Sequence, residues 1–396
     1  MKRFDVIVIG KGLVGSATAR YLSASQLKVA IIGPDEPLDN EKAIVFASHY
    51  DQSRIQRLIG RDGAWTRLNI DSASQYESIR QQTGIEFHEP VGSLYVNPTC
   101  KDKYLENAKP IGEQFEHSFT SFASGKEISD QFPDFRFPES ACGIFESSPA
   151  GLINPRLLIK AQLKILENNH GVIIHDTVVH ISQIGTEFLV ETSEGNNYFA
   201  HKIILAAGSF INFFNLLPKK LELVLKSEVV LLARLSEQDA HHFSTLPSLL
   251  YEIDNGEVEG VYLVKPLQYP DGYWHLKLGC NMPGDILFGN ISSVQDWFRK
   301  GESDRFIPRL KATLMEIMPE LNPIDFQTKR CIISRSVHGR PYIGETSRPG
   351  CFVASGCNGY SAMCSDAIGK LAAHLIVYKN LPQGYDEKDF ELAYQG

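Results

Sequence analysis

Two textures of apolar and polar positions alternate along the chain. Residues 4–9 (FDVIVI) form a short apolar run rich in β-branched residues and closed by glycine, the pattern of a strand buried on both faces. Residues 13–24 (LVGSATARYLSA) carry helical spacing and 28–32 (KVAII) give a second buried strand, so the chain opens as a βαβ unit. Residues 64–83 predict an exposed amphipathic helix, 85–96 paired strands, and 118–140 irregular covering structure. The first texture returns with a helix over 154–169 and strands at 171–174, 187–192 and 202–207. From 221 to 280 the pattern is strand-rich, and 292–318 reads as helical up to Pro319. The last part gives a strand at 351–354, a glycine turn, and a helix from 361 to 378.

This alternation predicts an α/β plus α+β fold with two domains, both discontinuous in sequence. A Rossmann-like nucleotide-binding domain is expected from 1–83, 148–217 and 325–396. A strand-rich substrate domain is expected from 84–147 and 218–324.

Composition narrows the function classes. With 396 residues the chain can bury a large core without metals or disulfides. The net charge of −8 and the lack of any long Lys/Arg run argue against nucleic acid as a partner. The seven cysteines include no C-x-x-C pair, so a metal site is not expected, and reduced thiols in a cytoplasmic protein are the simplest reading. Asp5 and Lys11 interrupt the first apolar stretch, which excludes a signal-peptide reading, and no run of about eighteen apolar residues spans a membrane. A monomer or small homo-oligomer is expected.

The strongest local signal is IGKGLVGSA. Gly10, Gly12 and Gly15 follow a predicted strand and open a predicted helix at Leu13 and Val14. The first glycine permits the tight turn, the second lets backbone approach a pyrophosphate, and the third lets helix and strand pack closely. The acidic residue that usually holds the adenosine ribose, about 20 residues on, is replaced by Gly33. Asp35 and Glu36 follow closely, so either the loop carries Asp35 to the ribose or water and backbone hold it. No arginine stands there, which favours a cofactor without an extra ribose phosphate.

One glycine turn does not separate NAD from FAD, but further segments do. SHYDQSRIQR (48–57), IHDTVVHI (174–181), KIILAAGSF (202–210), HLKLGCN (275–281), KRCIISRS (329–336) and ASGCNGYSAM (354–363) occur in this order. Together they resemble the D-amino acid oxidase superfamily, within it the monomeric sarcosine oxidase and N-methyl amino acid oxidase branch, over nearly the whole chain. The resemblance implies FAD as cofactor. Ser48 and Arg54 would lie near the flavin, Val178 at the adenine, and Ala207 and Gly208 at the second nucleotide contact. Gly356, Asn358, Gly359, Tyr360 and Ser361 would form the turn running past the flavin ring.

The resemblance further implies that a small amine or amino acid is oxidised at its C–N bond to an imine. Dioxygen would be the acceptor and hydrogen peroxide the product. Lys277 would promote reaction with dioxygen, its other reading being a solvent-facing strand lysine. Arg57 would anchor a substrate carboxylate, and His49 would be a base or flavin contact. Cys331 would attach FAD covalently, with Arg330 beside it favouring the thiolate; its other reading is a buried core thiol. Three positions depart from the branch: Met363 replaces a lysine, Asn281 a histidine, and Ile333 a tyrosine. They put sarcosine itself in doubt. A dehydrogenase using another acceptor and a non-catalytic flavin-binding subunit remain as alternatives. Arg335 and Arg340 are further cations expected near the site or at the domain interface.

Overall fold

The structure, a computed structural model, describes residues 2–396 apart from the Asp254 side chain. Met1, which the expected nucleotide half includes, lies outside the described residues. Among these residues, one sheet has eight strands and a second has nine. The strand Lys2–Ile9 is the centre of the first, parallel to Val29–Ile32 on one side and to Asn197–Leu205 on the other. Val172–Ile174 extends one edge. Cys351–Ser355 runs parallel to the far half of Asn197–Leu205 and carries the antiparallel strand Tyr342–Glu345.

Alternation explains why the first strand is apolar from Val6 to Ile9. Val6 and Val8 point into one cluster with Leu22, Ile31, Leu166, Ile204, Phe352 and Ile368. Ile7 and Ile9 point the other way, against Val178, Ile181, Phe188, Ile203 and Tyr342. A strand covered on both faces has no polar side to show. The helices Leu13–Ser23, Pro155–Asn168 and Ser365–Tyr378 are tied together by the buried Asp366 carboxylate, which accepts from Arg20 (2.7 Å), Tyr21 (2.7 Å) and Gln162 (2.8 Å).

The second sheet is built on Leu223–Leu235, paired antiparallel with Trp274–Cys280 along one stretch and with Asp325–Ser336 along its length. Asp325–Ser336 was expected with the nucleotide half. It joins the strand-rich sheet instead, satisfying backbone groups that Leu223–Leu235 would otherwise leave unpaired at an edge. The core of this half gathers Leu231, Leu249, Leu263, Leu276, Leu278, Leu310 and Trp297.

Other expectations change in detail. The strands within 85–96 do not pair with each other: His88–Glu89 joins a three-stranded sheet, whereas Ser93–Asn97 enters the second sheet. The stretch 118–140 contains the strand Thr120–Phe122 and the helix Gly125–Gln131. The helix Gly63–Thr83 is not merely exposed, because it buries Trp65, Leu68, Tyr76 and Ile79. The span 292–318 is two helices, Ile291–Lys300 and Ile307–Ile317. They divide at Gly301, where a Cβ would lie 2.4 Å from the Trp297 ring.

The expectation that the cysteines are reduced thiols fails for two of them. Cys100 and Cys142 form a disulfide with Cα atoms 5.0 Å apart, 42 residues apart in sequence. Among the described residues, no helix is long and apolar enough to cross a membrane, and no cluster of His, Cys, Asp and Glu could hold a metal.

Candidate functional site

A cavity of about 890 Å³ runs from the glycine turn after the first strand to the inner face of the second sheet. Its near end is a cradle in which backbone replaces side chains. Gly10 has φ +108°, and a Cβ there would sit 2.3 Å from the Ala206 carbonyl oxygen. A Cβ on Gly15 would be 1.8 Å from the Gly10 carbonyl oxygen, so Gly15 is a packing residue and does not line the cavity. Gly12, Leu13 and Val14 do line it. Gly12 begins the helix without any side-chain cap, whereas Asp62, Asp102, Asn154 and Asn290 cap other helices with their side chains. An uncapped helix N-terminus facing a cavity offers free N–H groups to an anion. With Val178, Ala207 and Gly208 on the opposite walls, this end fits the diphosphate and adenosine of a dinucleotide.

The departure at Gly33 has a steric cause. A Cβ there would lie 2.6 Å from the Lys11 backbone nitrogen, so an acidic side chain has no room. Asp35 does not line the cavity in its stead. It is ion-paired with Lys11 and lies 2.8 Å from Nδ1 of His175. Burial opposes the shift, but these two hydrogen-bonding partners hold its carboxyl below the usual range.

The segment 48–57 forms one wall. Ser48, His49, Arg54 and Arg57 all line the cavity. Burial, helped by the charges of Arg54, Arg156 and Lys11, lowers His49 to about 3, so its ring is neutral near pH 7. Arg54 is held by Asp51 and by the carbonyls of Ser53 and Ser48. Asp51, missed in the sequence, is buried and also accepts from Lys277 Nζ (2.6 Å) and Tyr269 Oη (2.8 Å). Burial would raise its carboxyl, but the charges of Lys277 and Arg54 outweigh that and hold it far down.

Lys277 is therefore no solvent-facing strand lysine. It is fully buried, with its ammonium on Asp51 and on the Ser53 carbonyl (2.7 Å). It does not line the cavity; Tyr262, whose ring centroid is 5.3 Å from Lys277 Nζ, does. Burial and the charge of Arg54 lower Lys277 to about 8 against the pull of Asp51.

At the far end Arg57 is buried, stacks 4.8 Å over the Tyr104 ring, and leaves Nε without a hydrogen-bond partner among the described residues. Asn281 lines the same space and accepts from Lys226 Nζ at 2.9 Å. Glu228 is a further wall residue, buried and accepting from Tyr262 Oη at 2.7 Å. Burial pushes its carboxyl up, against that hydrogen bond and the charge of Lys226.

Cys331 faces the cavity opposite Glu228 in the strand register. Burial, with the charge of Glu228, pushes its thiol up to about 11. Arg330 does not favour the thiolate as expected, because its guanidinium turns away and donates to the Gly301 carbonyl at 2.6 Å. In the C-terminal turn Asn358, Gly359, Tyr360 and Ser361 line the cavity, but Gly356 does not. Asn358, at φ +56°, also staples the turn to the neighbouring strand by accepting from the Ser336 amide at 3.0 Å. Of the two extra cations, Arg335 lines the cavity, whereas Arg340 pairs with Asp62 and Asp389 away from it.

Comparisons with known proteins agree with this arrangement. The chain is 27% identical over 217 residues to N-methyl-L-tryptophan oxidase of Yersinia pestis (strain Pestoides F), 54% of this chain and 56% of that protein. It thus spans about half the length of that relative. Among solved structures, NikD, described as an unusual amino acid oxidase essential for nikkomycin biosynthesis, has TM-score 0.79 at 16% identity, covering 100% of this chain and 99% of that one. Glycine oxidase from Geobacillus kaustophilus has TM-score 0.73 at 17% identity, covering 100% of both chains. At such identities the likeness is one of fold. Residues 5–375 match the family described as DAO, FAD dependent oxidoreductase. The chain belongs to the DAO family of FAD-dependent oxidoreductases.

Proposed function

We propose that the protein oxidises the C–N bond of a small amine or amino acid to an imine. The observation that carries this reading is the continuity of one cavity from the uncapped helix at Gly12 to the unpartnered Nε of Arg57. FAD, when bound, supplies the two-electron acceptor. The rest falls to the chain. Gly12, Leu13 and Val14 hold the diphosphate, Val178 lies at the adenine, and Ala207 and Gly208 form the second contact. Ser48, Arg54 and the turn at Asn358–Ser361 enclose the flavin end. Asn281 is a polar wall group at the far end, and neutral His49 is one beside Gly12. Arg57 takes the substrate carboxylate through its guanidinium fork. Amine oxidation needs the uncharged amine, and neighbouring guanidiniums disfavour an ammonium, so no protein base is required. The walls at Phe210, Val261 and Phe298 restrict water.

Dioxygen is the acceptor in this reading, giving hydrogen peroxide. One observation favours a second reading, a dehydrogenase that passes electrons to another acceptor: the ammonium of Lys277 is already neutralised by Asp51. Anaerobic mixing of the flavin-loaded protein with a panel of amines and amino acids tests the main proposal, since a substrate bleaches the visible flavin band. A panel that leaves the band untouched would argue for a flavin-binding role without catalysis. Admitting air afterwards and assaying peroxide separates the two acceptors.

A further inference from the structure

Arg57 accounts for one carboxylate, yet the same end of the cavity holds two more guanidiniums. Arg61 and Arg335 both line it and both are exposed. Arg57 and Arg61 share Tyr360: the Arg61 Cζ lies 4.3 Å and the Arg57 Cζ 6.0 Å from its ring centroid, and Arg61 also donates to its hydroxyl. The Arg335 side chain has no hydrogen bond or ion pair among the described residues, and neither Arg57 nor Arg61 is ion-paired.

Crowded like charges without counter-ions raise the energy of the free protein. Burial, then the charge of Arg57, lowers Arg61, with Arg335 contributing in the same direction. Glu252 and Asp102 share the space as two negative charges, neither of them ion-paired among the described residues, and Lys103 adds a fourth positive charge to the same wall. The far end thus keeps an excess of about two positive charges. From this juxtaposition, and resting on the oxidation reading above, we infer that the substrate is an amine carrying two carboxylates. One meets Arg57, and the other lies between Arg61 and Arg335.

Isothermal titration of the intact, flavin-loaded protein with glutarate, butyrate and butylamine tests this. Glutarate is expected to bind at least about tenfold more tightly than butyrate, as one added charge-assisted hydrogen bond provides. Arg61→Gln and Arg335→Gln should each weaken glutarate about tenfold and leave butyrate unchanged, and butyrate binding also reports that the variants remain folded. Equal affinity for glutarate and butyrate, weakening of both ligands alike, or no binding of either acid overturns the inference. If amines without carboxylates bleach the flavin as fast as acidic ones, the dicarboxylate assignment fails while C–N oxidation stands. If glutarate selectivity holds but no amine bleaches the flavin, the oxidation reading fails and the anion subsite stands.

Discussion

The ammonium of Lys277 and the carboxylate of Asp51 meet at 2.6 Å in a buried cluster whose third member is Arg54. A free ammonium beside the cavity would stabilise negative charge formed there, and losing such a charge typically costs about 10²–10³ in rate. A neutralised one contributes little. Lys277→Met is therefore expected to slow air reoxidation of photoreduced protein by less than about tenfold, measured by stopped flow. The same variant leaves a buried carboxylate short of a partner, and urea unfolding should show a loss of about 3–5 kcal/mol. A loss of two or more decades in reoxidation would mean that Lys277 acts as a free cation.

The glycines of the fingerprint should separate by phenotype. A Cβ on Gly12 meets only the His49 ring, at 3.4 Å, and otherwise opens into the cavity. Gly12→Val should give a folded but colourless protein, because its side chain would occupy the place proposed for the diphosphate. Gly15→Ala collides with the Gly10 backbone and should fail to fold, which circular dichroism and soluble yield distinguish. Gly33→Asp restores the acid usual in such fingerprints, yet it should lower the melting temperature because Lys11 backbone fills the space.

Acidification should act through His49. Its folded-state value of about 3 lies below the ordinary 6.5, so the unfolded chain binds the extra proton between these values. Stability conferred by the neutral ring is present above about pH 6.5 and is lost as the pH falls towards 3. In flavin-free protein, His49→Gln should flatten the decline of unfolding free energy across that window. Parallel profiles for the two proteins would show that His49 titrates as a solvated imidazole.

Covalent attachment at Cys331 requires a thiolate, and a thiol pushed up to about 11 supplies little at neutral pH. Acid precipitation is expected to release FAD into the supernatant, with Cys331→Ala retaining the same flavin content. A yellow pellet from wild type and a white one from the variant would establish the bond.

Much of the nucleotide end was legible because its signals are local. The order strand, glycine turn, helix lies within one short segment, in which Gly10 makes the turn, Gly12 opens onto the cavity and Gly15 packs against Gly10. Gly33 marked a departure in sequence, but its cause is a tertiary contact with Lys11, so adjacency wrongly pointed to Asp35. Lys277 stood out through the resemblance, but its burial was not legible, because alternation along 275–280 gives no sign that the strand is covered on both faces. Asp51 lay inside a segment already marked as important, and a carboxylate three residues before Arg54 was a usable signal. Arg61, Tyr104, Glu252 and Arg335 come from separate stretches of chain, and only packing brings them together.

The Asp51 carboxylate joins two parts of the molecule through protein contacts alone. Its partners Tyr269 and Lys277 belong to the second-sheet half, while the segment that carries it runs past His49 to the mouth of the glycine cradle. Filling the cradle and ordering the second sheet are thus linked equilibria. A ligand held only at the nucleotide end should slow amide exchange in Trp274–Cys280, and subglobal opening of that strand should become rarer as cofactor occupancy rises.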